Sequence, residues 1–155
     1  MKMRFVWVGK TKSAPIRSLV DDYLGRLSKF ASVNVRVAKE GSGSTTDPAR
    51  ALQVEAQSLL AGIEEESVVV VLDEGGRQMS SQDLADYIER QMQSAVKQIT
   101  FVVGGHAGVH PSVKERANLK LSLGRMTLTH DMARVLLTEQ VYRAFTMIRN
   151  LPYQR

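Results

Sequence analysis

The chain has 155 residues, 43% of them apolar and 24% charged, which is the length of one ordinary domain and the composition of a globular one rather than a disordered one. It carries 21 Lys/Arg against 16 Asp/Glu, a net charge of +5, and no cysteine, which excludes disulfides, thiolate zinc sites and cysteine nucleophiles and fits a reducing cytoplasm. Its longest apolar run, Val68 to Leu72, has five residues where a membrane span needs ~20, so the expectation is a soluble cytoplasmic protein forming one domain over 1–155.

Strand and helix patterns alternate along the chain. Arg4 to Val8 is apolar-rich and stops at Gly9, as a first strand would. Ser13 with Pro15 marks a helix start, and Ile16, Leu19, Val20, Tyr23, Leu24 and Leu27 follow at spacings of 3 and 4 as far as about Lys29. Ser32 to Lys39 alternates valines with polar residues, a half-exposed strand. Residues 41–46, rich in Gly, Ser and Thr, read as a flexible loop. Asp47 and Pro48 then open a helix whose apolar stripe is Leu52, Ala56, Leu59, Leu60 and Ile63. Val68 to Leu72 is apolar without alternation, as expected of a strand buried on both faces of a parallel sheet.

Asp73-Glu74-Gly75-Gly76 reads as a turn, and Ser80 with Asp83 as a capping box. A helix with Leu84, Tyr87, Ile88 and Met92 follows. Ile99 to Val103 is a second buried strand, ending in Gly104-Gly105. A short helix near Val113 to Ala117, a strand-like stretch from Leu121 to Leu128 and a helix from about Asp131 to Arg149 complete the series. The apolar positions of that last helix are Met132, Val135, Leu136, Tyr142, Phe145 and Ile148. The alternation predicts an α/β domain with a mostly parallel sheet and helices on both faces.

Charge is uneven: residues 1–40 carry net +6, 41–110 net −6 and 111–155 net +5. If the two ends share a face, that face attracts a polyanion. In open α/β sheets ligands bind at the carboxyl ends of strands. Two strand ends are glycine-rich, at Gly75-Gly76 and at Gly104-Gly105-His106-Ala107-Gly108. These loops are the default binding site, with ordinary strand-to-helix turns as the alternative. Neither fits the dinucleotide fingerprint, and Gly9-Lys10-Thr11 lacks the earlier glycine of a phosphate-binding loop. His106 and His110 have Gly108 between them and Pro111 beside them, so no metal site is expected there. His130, next to Asp131, reads as a cap of the last helix. Glu139, Gln140 and Arg143 share one side of that helix, where a mutually satisfied pair and a site are both open.

The order of motifs is distinctive. A valine strand ends in Leu72-Asp73. Then come Phe101-Val102-Val103-Gly104-Gly105-His106-Ala107-Gly108, Ser122-Leu123-Gly124-Arg125-Met126-Thr127-Leu128-Thr129-His130, the run Arg134 to Ala144 with Glu139-Gln140-Val141-Tyr142-Arg143, and Pro152-Tyr153. Together these resemble the SPOUT (α/β-knot) methyltransferases, specifically the large-subunit ribosomal RNA methyltransferase H family, over essentially the whole chain. The resemblance implies a SPOUT-type sheet with a C-terminal trefoil knot. It also implies S-adenosylmethionine as methyl donor, a homodimer, and methylation of N3 of pseudouridine 1915 in the helix 69 loop of 23S rRNA, on assembled ribosomes. By the same resemblance the cofactor residues are Leu72, Gly105, Gly124, Arg125, Met126, Thr127, Leu128 and Thr129. Arg143, Arg155 and Tyr153 are then the residues at the reacting base, and His130 is the one neutral base by type. Two positions depart from the family's His-Pro-Tyr-His-Arg tail, Leu151 and Gln154. That leaves another RNA, such as tRNA, or a non-catalytic nucleotide-binding module as the alternatives.

Overall fold

The computed structural model describes residues 1–153; Gln154 and the expected site residue Arg155 lie outside the described residues. Five strands, β1 (Lys2–Val8), β2 (Ser32–Ala38), β3 (Val68–Gln78), β4 (Gln98–Val103) and β5 (Leu119–Ser122), form one sheet in the order β2-β1-β4-β3-β5. Every strand pair is parallel, so the sheet is wholly rather than mostly parallel. The helices are α1 (Ala14–Leu27), α2 (Pro48–Ala61), α3 (Ser81–Gln93), α4 (Pro111–Arg116) and α5 (His130–Ile148).

The handedness of parallel crossovers accounts for the layers. β1 to β2 and β3 to β4 both step toward the β2 edge, and they carry α1 and α3. β2 to β3 and β4 to β5 step the other way, and they carry α2 and α4. Right-handed connections put the first pair on one face and the second pair on the other. The two cores agree. Met3, Phe5 and Trp7 of β1 pack with Val20 and Leu27 of α1, Leu84 and Ile88 of α3, and Leu137, Val141 and Phe145 of α5. Val6 and Val8, the alternate residues of β1, pack with Ala56 and Leu59 of α2 and Val113 of α4. Both faces of the central strands are thus covered, which is why their sequences read as continuous apolar runs.

Four expectations need correction. Asp73 to Gly76 does not end the third strand: β3 continues to Gln78, and pairing with β5 slips between Leu72 and Arg77 to let the four residues bulge out. A Cβ on Gly76 would lie 2.6 Å from the Lys120 carbonyl oxygen, so this glycine serves close strand packing rather than a turn. The stretch from Leu121 to Leu128 is strand only to Ser122, and Gly124, at φ +145°, turns it into a loop. Residues 41–46 are not a free loop: Gly41–Gly43 form a 3₁₀ turn, and Gly41 is buried. Met132 and Leu136 are 41% and 36% exposed, not core. The interior of α5 instead holds Arg134, which is fully buried.

Arg134 ties α5 to the end of β1. Its guanidinium donates to the Val8 carbonyl and to Thr11 Oγ1, and lies 5.1 Å from the centre of the Trp7 ring. Burial pulls its pKa below the usual arginine value, against the pull of Asp131 and Glu40. The capping box predicted at Ser80 and Asp83 is complete, with both reciprocal hydrogen bonds.

Candidate active site

The carboxyl ends of β3, β4 and β5 open into one cleft of about 760 Å³, well inside the range of small-molecule sites. Three stretches distant in sequence meet there. Leu72, Asp73 and Glu74 come from the slip in β3, residues 103–109 from the glycine loop after β4, and Gly124 with residues 126–130 from the connection to α5. That connection carries the chain from β5, at the sheet edge, to α5, which packs against both α1 and α3. In doing so it walls the cleft.

The expected residues fall into two groups. Leu72, Gly105, Gly124, Met126, Thr127, Leu128, Thr129 and His130 all line the cleft. Arg125 belongs to the same segment but is exposed and is not among the lining residues. The cap of α5 is Thr129, whose hydroxyl accepts the Met132 N–H at 3.2 Å. His130 is therefore the first residue of the helix rather than its cap, and its Nε2 lies 3.5 Å from Asp131 Oδ1. The capping histidine is His110, whose Nδ1 accepts the Ser112 N–H at the start of α4.

The glycines shape the loop from behind. A Cβ on Gly104 would meet the Gly108 carbonyl oxygen at 2.5 Å, and one on Gly105 would lie 3.1 Å from Glu55 Oε1 and 3.4 Å from Val8 Cγ1. Gly105 is held against α2 and β1, and Gly104 against the far end of its own loop. Lys114 Nζ and Asp73 Oδ1, 3.4 Å apart, form an ion pair at the rim.

Arg143 and Tyr153 are elsewhere. His130 and Arg143 stand thirteen residues apart on α5, ~20 Å along its axis. Arg143 donates from Nε and Nη2 to Glu139 Oε1, at 3.0 and 2.6 Å. The Tyr153 hydroxyl donates to the same oxygen at 3.2 Å, and the guanidinium lies 4.7 Å from the Tyr153 ring centre. Glu139 Oε2 accepts from Gln140, whose carbonyl accepts from Ser81 Oγ on α3. The hydrogen bond from Glu139 raises the Arg143 pKa above its ordinary value. Burial, with hydrogen bonding to Tyr23 and the Glu139 charge, raises that of Tyr153 above its own. The cluster sets a cation held by Glu139 against the ring of the half-buried Tyr153, which also packs edge-on with Tyr142. Glu139, which positions both, was visible in the sequence only as a charge at i, i+4 spacing from Arg143. Among the described residues no group of three or more His, Asp or Glu is gathered as a metal site would need, and no helix is long and apolar enough to cross a membrane.

A family model described as "Predicted SPOUT methyltransferase" matches residues 1–154. The chain is 39% identical over 153 residues to the ribosomal RNA large subunit methyltransferase H of Geobacter sulfurreducens, covering 99% of each chain. It is 38% identical to the protein of the same name from Syntrophotalea carbinolica, covering 99% of this chain and 98% of that one. Among solved structures, a probable methylase family protein from Haemophilus influenzae Rd KW20 superposes with a TM-score of 0.59 at 15% identity, covering 99% of this chain and 70% of that one. That likeness bears on the fold alone.

Proposed function

Because the chain belongs to the SPOUT methyltransferase family, we propose that it methylates N3 of pseudouridine 1915 in the helix 69 loop of 23S rRNA. S-adenosylmethionine is the donor, and the enzyme is a cytoplasmic homodimer acting on the assembled ribosome. The observation that carries this reading is the cleft, because Leu72, the glycine loop and the segment from Gly124 to Thr129 converge there from three distant parts of the chain. The walls suit the cofactor: Leu72 and Leu128 offer apolar faces to an adenine, and glycine backbone offers amide groups to its edge. The bound cofactor supplies an electrophilic methyl group. In this reading the connection from Ser122 to Thr129 is the threaded segment of the trefoil knot.

The protein's own task is to position the base and favour its deprotonated form. N3 of a uracil-like ring is an imide N–H, which must lose its proton before N3 attacks. A fixed cation beside the flanking carbonyls stabilises the resulting anion. Arg143 has that charge and is held by Glu139. Tyr153, with its pKa raised, stays protonated near neutral pH and serves as donor and stacking surface rather than base. Since ~20 Å of helix separates this cluster from the cleft in one chain, the two halves meet only if the Arg143 cluster of one protomer faces the cleft of the other. Leu19 on α1, and Met132 and Leu136 on the neighbouring α5, are large, apolar and exposed, as an interface requires.

Transfer of labelled methyl groups to ribosomes lacking the modification, with the label mapped, tests the reading. Label at N3 of the helix 69 pseudouridine is expected, and none on ribosomes lacking the pseudouridine. Label confined to tRNA would overturn the substrate. Leu136→Arg is expected to convert the dimer to a monomer in sedimentation and to abolish transfer. A wild-type protein that sediments as a monomer would count against the composite site.

A further inference from the structure

The two basic stretches of the chain, residues 1–40 and 111–155, are brought together by the packing of α1 on α5. Phe30, just past the end of α1, stacks on Phe145 with ring centres 6.1 Å apart, and the Tyr142 ring lies 6.2 Å from Tyr23 and 6.1 Å from Phe30. Three cations stand around this contact and are exposed: Arg26 in the last turn of α1, Lys29 just beyond it, and Arg149 at the end of α5. Arg26 donates from Nε to Asp22 at 3.0 Å, and the Tyr142 hydroxyl also accepts from it. Its guanidinium lies 5.9 Å from the ring centres of both Tyr23 and Tyr142, and its side chain is 47% exposed. Tyr142 in turn packs edge-on with Tyr153, over which Arg143 lies. Arg26 and Arg143 are thus the two ends of one row, with two rings between them.

The acids nearby do not cancel this charge. Asp22 is engaged by Arg26 and Glu139 by Arg143. Asp21 is five residues back along α1, ~7 Å toward the other end of the helix. Glu64 pairs with Arg4, whose side chain shares the α2 face of the sheet with Val6 and Val8. A guanidinium presents a planar fork of five N–H donors that matches phosphate oxygens, and an exposed pair such as Arg26–Asp22 is too weak to hold it back. Cations alternating with aromatic rings are the surface that a single-stranded RNA loop takes, by stacking and phosphate contacts together. We propose that Arg26, flanked by Lys29 and Arg149, holds the RNA phosphates beside the nucleotide that Arg143 receives. The proposal rests on the reading of Arg143 as the residue at the reacting base. Arg26 also stands two turns beyond Leu19 on the same side of α1, so the phosphate track begins where the proposed interface between protomers ends.

Binding of the full-length protein, with S-adenosylhomocysteine present, to undermethylated ribosomes over a series of salt concentrations tests the assignment. Arg26→Ala is expected to weaken binding about threefold to tenfold at low salt and to reduce the slope of log affinity against log salt by about one, the signature of one lost phosphate contact. Lys29→Ala and Arg149→Ala should each act in the same way. Arg26→Lys should restore the slope, since a phosphate contact needs the charge while the packing on Tyr23 and Tyr142 needs the plane. A loss of affinity at unchanged slope, or one that Arg26→Lys leaves unrepaired, would make Arg26 a packing residue and overturn the proposal. The chain has no cysteine, so Lys29→Cys offers a single attachment point for an aryl azide. Light is expected to join it to rRNA; capture of a ribosomal protein alone, or of nothing, would overturn the proposal. Methyl transfer by Arg143→Ala at the wild-type rate would remove the base site itself, and this inference would fall with it.

Discussion

Arg143→Ala is expected to lower the methyl-transfer rate constant by about 10²–10³-fold, the scale seen when one preorganised donor to a developing anion is removed. Affinity for S-adenosylhomocysteine should be unchanged, because Arg143 lies in a cluster with Glu139 and Tyr153 and not among the residues of the cleft. Arg143→Lys should recover little of the loss. Arginine places two N–H groups on one Glu139 oxygen while its plane lies over Tyr153. A lysine ammonium keeps the charge but neither the fork nor the plane. Single-turnover kinetics on undermethylated ribosomes, beside calorimetry with the cofactor product, separates the two quantities. A parallel loss of ligand affinity would make Arg143 a structural residue and remove it from the chemistry.

Gly105→Val is expected to weaken S-adenosylhomocysteine binding by at least about a hundredfold. The Cβ itself already sits at 3.1 Å from Glu55 Oε1 and 3.4 Å from Val8 Cγ1, so the branched methyls have no room behind the loop. Overpacking of this kind is relieved by backbone displacement, and the direction left open is forward, into the cleft. The thermal midpoint of the variant should fall modestly while a cooperative transition remains, since only a loop end moves. Ligand affinity equal to that of the wild type would sink the assignment of the glycine loop to the cofactor.

The architecture was legible in the sequence because its causes are local and periodic. Val68 to Leu72 lacks alternation because both faces of β3 are covered, and the spacing of Leu84 and Ile88 records the one face that α3 buries. The misreadings share a different cause: contacts between residues far apart in the chain. Asp73 to Gly76 has turn composition, yet the β5 backbone at Lys120 makes Gly76 part of a strand. Arg134 stands in the sequence only as the first residue of a motif run. It is buried because Trp7, Val8 and Thr11, more than a hundred residues earlier, supply a ring, a carbonyl and a hydroxyl. Met132 and Leu136 followed the pattern of a core stripe, but helical spacing does not say whether the covering surface belongs to the same chain. Of the site, the glycine loop and the segment from Gly124 to His130 could be found by motif.

The order of the sheet sets a condition on how the chain folds. β1 lies between β2 and β4, and its register with β4 begins at Lys2 opposite Gln98. One hydrogen-bonding edge of the first strand therefore waits for a partner made some ninety residues later. Among the described residues no two strands are joined by a hairpin, so every pairing closes a long loop before it is rewarded. Folding is accordingly slow for a protein of this size. During synthesis the unpaired edge of β1 is open to association with other chains until β4 is made.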